Sequence, residues 1–135
     1  MYQSDYLMRM FLALATAIRD SIVRARGGDD LEGATEMLEQ AFGQATDFDG
    51  SLLLRMAPES MVAMLQTSDT DPKLMGYLSR TLLLESQYLF QMHEDDLAAL
   101  RRAQAMALSD AYGLGVDDAS VSDEALDEFI GADAS

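Results

Sequence analysis

Apolar residues Leu7, Phe11, Leu14, Ile18, Ile22 and Ala25 recur every three or four positions, the spacing that keeps side chains on one face of an α-helix. Ser4 is the expected N-cap and Gly27-Gly28 the stop, with Arg24 and Arg26 at the negative end of the helix dipole. A second helix starts at Asp29 or Asp30 and carries Leu31, Ala34, Leu38, Ala41 and Phe42 inward as far as Gly43. The two make a hairpin over residues 4–43. Residues 44–71 form a connector. Asp49-Gly50 marks a turn, 51–56 a short helix, and Pro58 the first turn of another ending near Gln66. Asp71 as N-cap and Pro72 at the first helical position open a long helix to about Met92, with Leu74, Leu78, Leu82, Tyr88 and Leu89 among its apolar residues. After a break at His93 to Asp95, a helix from about Asp96 to Tyr112 carries Leu97, Leu100, Ala103 or Gln104, Ala107 and Leu108, closing a second hairpin over 72–113. An acidic segment, 114–135, holds a last short helix at 123–130 behind Ser122.

No strand alternation interrupts this pattern, so the expected fold is all-α: two helical hairpins joined by short helices, as a tetratricopeptide-like superhelix or an irregular helical bundle. The small residues Gly33, Ala34 and Ala41 in one hairpin, and Ala98, Ala103, Ala105 and Ala107 in the other, resemble tetratricopeptide helix pairs. The chain departs from that repeat in having no Trp and no Pro to close either unit. The opening Tyr-Gln-Ser-Asp-Tyr-Leu-Met-Arg-Met at 2–10, followed by a hairpin and a tetratricopeptide-like second half, is similar to a family of small uncharacterised bacterial all-helical proteins. That resemblance implies the fold and a bacterial cytoplasmic setting. The family has no assigned activity, so it transfers no functional residues.

Composition narrows the chemistry. With 135 residues and 49% of them apolar, the chain suits one domain with one core. Nine Lys and Arg against 24 Asp and Glu leave a net charge of −15, which repels nucleic acid and anionic membranes. The distribution is uneven: Arg9, Arg19, Arg24 and Arg26 against Asp5 and Asp20 give the first 26 residues a local +2, while seven carboxylates and no base follow Val116. No apolar run is long enough to span a bilayer. Met10 to Ile18, with Ala-Thr-Ala at 15–17, imitates a signal peptide, but the helical pattern runs through the supposed cleavage point, and a cytoplasmic address is expected.

The absence of Cys removes disulfides and thiolate chemistry, and the single His93 removes two-His metal sites. His93 is read as a helix-end residue. Asp47-Phe-Asp49-Gly50 resembles part of a calcium loop, but Ala45 and Met56 stand where the first ligand and the closing Glu belong, so a capped turn is favoured. Gly113-x-Gly115 lacks the rest of a nucleotide loop. No catalytic residue, metal or cofactor is implied. Glu85 lies in an apolar stretch; exposure at a helix edge is the favoured reading, and a pocket joining it to Arg55 or Arg80 would favour a small-ligand site or an enzyme.

A non-catalytic module for protein-protein interaction is therefore the leading expectation, with a protein or peptide partner. Self-association into a homo-oligomer, the basic first helix meeting the acidic tail of another copy, is its rival. Ten Met residues, with Met56, Met61 and Met64 clustered, suit either core filling or an adaptable groove. The candidate partner contacts are Tyr2, Tyr6, Arg9, Met10, Met61 and Met64.

Overall fold

The computed structural model describes residues 2–68 and 71–134, and excludes the side chains of residues 2–4, 133 and 134. Among the described residues it holds seven α-helices and no strand. The helices are α1 (Tyr2–Ala25), α2 (Leu31–Gln44), α3 (Gly50–Leu53), α4 (Pro58–Gln66), α5 (Pro72–Gln91), α6 (Asp95–Ala111) and α7 (Asp123–Ala134). Short 3-10 turns at Arg26–Gly28 and Asp118–Val121 complete them.

Local chemistry fixes most of these boundaries. The Asp30 carboxylate accepts from Gly33 N at 2.9 Å, Asp49 from Ser51 N at 3.0 Å and Asp71 from Lys73 N at 2.7 Å, each relieving an amide that helix geometry leaves unpaired. Ser122 does the same for Ala125 N. Gly27 leaves α1 at φ +67, a left-handed conformation that costs glycine little. His93 takes the same role after α5 at φ +64, its N–H donating to Phe90 O while Glu94 N–H donates to Leu89 O, the paired bonds of a helix-ending turn. Ser4 is not the N-cap expected: α1 begins at Tyr2, and Ser4 lies within its first turn.

The core is organised around α5. From Leu74 to Leu89 all of its residues except Arg80 and Gln87 are buried, as befits a helix enclosed on every side rather than one with a wet face. It packs most extensively on α6, then on α2 and α1. The stripes of α1 (Phe11, Leu14, Ile18) and α2 (Ala34, Leu38, Phe42) meet on it, each large side chain contributing about 1.5–3 kcal/mol by leaving water. The α6 stripe differs from expectation. Gln104 and Leu108 are buried as expected, but Leu97 and Ala103 face outward, and Ala98, Arg101, Ala105 and Ser109 complete the inward set.

The acidic segment folds back on its own chain. Leu126 and Ile130 are buried, and Phe129 sets its ring edge against Tyr77, centroids 4.7 Å apart, beneath the Arg80 guanidinium at 3.8 Å. Asp127 lies 3.7 Å from Arg19 of α1. The attraction between basic helix and acidic tail foreseen from the sequence thus has an intrachain form.

Candidate functional site

Two places gather candidate side chains. The first is a buried polar cluster where α2, α3, α5 and α6 meet. Arg101, on the inward face of α6, donates from Nε to Glu85 Oε2 at 2.8 Å and from Nη2 to Glu39 Oε2 at 3.2 Å. Its Nη1 donates to the Leu54 carbonyl at 2.6 Å and to Gln104 Oε1 at 3.2 Å. Gln104 Nε2 donates in turn to the Leu54 and Met56 carbonyls at 3.0 and 2.9 Å. One guanidinium and one amide thereby hold the chain after α3, whose carbonyls no helix satisfies.

Glu85 corrects the sequence reading: its side chain is fully buried, not at an exposed edge. Its partner is Arg101, not Arg55 or Arg80. Burial pushes its carboxyl up to about 9, the nearby Glu39 carboxylate adds to the rise, and Arg101 pulls the other way. Burial therefore favours the protonated form of Glu85 within the cluster. Glu85 Oε1 has no hydrogen-bond partner. The cluster opens on a cavity of about 530 Å³ whose walls include Glu36, Glu39, Arg55 and Arg101, but not Glu85. At one wall α2 and α3 nearly touch, and a Cβ on Gly50 would lie 2.5 Å from Gly43 Cα. The contacts of Arg101 and Gln104 tie α2, α5, α6 and the chain after α3 together. The sequence signal was the polar pair Arg101 and Gln104 in register with Ala98, Ala105 and Leu108 on one helix face.

The second place is an apolar groove of about 640 Å³ between α5 and α6. Phe90 and Gln91 stand on one side, Ala98 and Ala99 on the other, with Asp95 towards one end and an Arg102–Asp118 ion pair towards the other. The Arg102 hydrogen bond holds the Asp118 carboxyl below its ordinary range. Phe90 is 67% exposed, although it belongs to the most buried helix of the molecule. Asp95 continues an exposed acidic run with Glu94 and Asp96.

The partner contacts expected from the sequence are dispersed. Met61 is fully buried, a correction to its placing on a contact surface, and Met56 and Met64 pack against the core. Flexible thioethers suit such irregular core positions. Met10 also packs on the core, whereas Arg9 is exposed. Tyr6, 44% exposed, lines a third cavity of about 490 Å³ with Thr46, Asp47 and Asp71. The Tyr2 side chain lies outside the described residues. Met61, being fully buried, shares no surface with the exposed Tyr6 and Arg9. Met8, Leu12 and Val23, not singled out from the sequence, are the apolar residues that α1 exposes most, at 53%, 68% and 61%. No helix of the described residues is long and apolar enough to cross a membrane.

No protein-family model, curated protein or solved structure matches the chain significantly.

Proposed function

We propose that this chain is a non-catalytic protein-interaction module that receives a helix of its partner in the α5–α6 groove. The observation that carries the reading is Phe90, held in water at the edge of an alanine-floored groove while the other large apolar residues of its helix are buried. Keeping such a side chain exposed forgoes about 2 kcal/mol of burial. A groove wall that repeats at Asp95, Ala98, Ala99 and Arg102 spans about 10 Å along α6, roughly two helical turns. That length suits apolar anchors one turn apart on a docked helix. The acidic run at Glu94 to Asp96, in a chain of net charge −15, selects basic flanks on that helix. The resemblance to tetratricopeptide helix pairs supports the same kind of use, in a bacterial cytoplasmic setting.

The test is fluorescence anisotropy with two labelled helical peptides of identical apolar positions, one Lys-rich and one Glu-rich. The Lys-rich peptide is expected to bind with micromolar affinity and the Glu-rich one not to bind. Phe90→Asp separates docking from bulk charge. It adds a negative charge, so simple attraction predicts tighter binding of the basic peptide, whereas groove docking predicts at least a tenfold loss. Unchanged or tighter binding to the variant refutes the proposal.

A further inference from the structure

We propose that the helix this groove receives is α1 of a second copy of the chain, seated through Met8 and Leu12; the inference rests on the groove reading above. α1 has the complementary chemistry. Its outward face carries Met8 and Leu12, one turn apart and more than half exposed, about 6 Å from one another along the axis. Two such anchors fit a groove of two turns. Arg9, exposed between them in sequence, is the cation to meet the Asp95 end, with exposed Asp5, one turn before it, towards the opposite, Arg102 end. The first 26 residues hold Arg9, Arg19, Arg24 and Arg26 against Asp5 and Asp20, a basic region in an acidic chain. Arg19 and Arg24 already face Asp127 and Asp30 of their own chain, which leaves the Met8–Leu12 end of α1 as the part suited to an outside partner. Val23 lies about 16 Å beyond Leu12 and is not part of the contact.

The contact is heterologous: one face of a copy meets a different face of the next, so association runs head to tail and either closes into a ring or continues. This gives it a distinctive test. Sedimentation velocity at 0.15 M salt, a level that shortens the reach of copy-to-copy repulsion to about 8 Å, is run on the wild type, Leu12→Asp, Phe90→Asp and an equimolar mixture of the two variants. The wild type is expected to grow in mass with concentration. Each variant alone is expected to associate at least tenfold more weakly. The mixture is expected to form a one-to-one heterodimer, because the Leu12 variant keeps its groove and the Phe90 variant keeps its α1. Met8→Asp with Ala99→Glu supplies a second pair on the same two faces, should either first variant lose its helical circular dichroism. A wild type that is monomeric up to about 1 mM, or a mixture no more associated than its components, overturns the inference. If the Lys-rich peptide still binds a monomeric protein through Phe90, only the identity of the occupant falls; if it does not bind, the groove reading falls as well.

Discussion

Glu85 and Arg101 show what a single buried charge asks of its surroundings. The guanidinium serves two carboxyl groups, one amide oxygen and the Leu54 carbonyl at once, so removing it orphans several buried groups together. Arg101→Met is expected to cost about 1–3 kcal/mol in urea unfolding. Glu85→Gln is expected to act in the opposite direction. The native carboxyl is raised from 4.5 to about 9, so between those values the folded state holds a proton that the unfolded chain has released. Stability from this group is complete below about pH 4.5 and falls as pH rises towards 9. Gln has the shape of the protonated carboxyl and nothing to titrate, so the variant should match the wild type near pH 4 and exceed it by about 1–3 kcal/mol at pH 8. Unfolding midpoints across that range check the sign; a variant less stable at pH 8 contradicts a protonated Glu85. None of this pairing was readable along the chain. Glu85 lies 16 residues from Arg101, and Leu54 lies 47 away, so only the tertiary fold brings them together.

At the scale of elements, the helices and most of their ends were legible because their causes are local. Asp30, Asp49, Asp71 and Ser122 cap amides two or three residues ahead, a spacing visible in any sequence. The stripes of α1 and α2 were legible for the same reason, whereas α5, whose pattern reads as amphipathic, is buried all round. The α6 stripe was legible in part: Gln104 and Leu108 are buried, but Leu97, the better hydrophobe, is exposed while Ala98 and Arg101 face inward, because the neighbouring helices' demand for a small residue and a hydrogen-bond donor overrode local hydrophobicity. The groove was hidden likewise, being a property of how two helices cross. Gly43 and Gly50 mark another close approach. Gly50→Ala should force α2 and α3 apart and cost about 1–3 kcal/mol. By contrast Gly131→Ala, in α7 with open space around its Cβ position, should add about 0.5–1 kcal/mol. Chemical denaturation of the two variants side by side reads both effects.

Across the whole molecule, α7 closes the structure by placing Phe129 between Tyr77 and Arg80. The Arg80 head is partly desolvated there, which lowers its pKa, and the ring face below it offsets part of that cost. Phe129→Ala is expected to lower stability by about 2 kcal/mol and to release α7, seen as faster amide exchange from Leu126 to Ile130 than in the wild type. With α7 docked and α5 enclosed, exposed apolar side chains among the described residues include those on the outer face of α1, Leu52, Leu97 and Phe90, and the proposed function rests on Phe90 and its groove. The measurement that tests it most directly is a two-dimensional amide NMR titration of the isotope-labelled protein with the Lys-rich helical peptide. The account predicts that shift changes concentrate at Phe90, Asp95, Ala98, Ala99 and Arg102 and are absent from the same titration of Phe90→Asp. Changes scattered over the acidic surface, or centred on the cavity beside Tyr6, would contradict it.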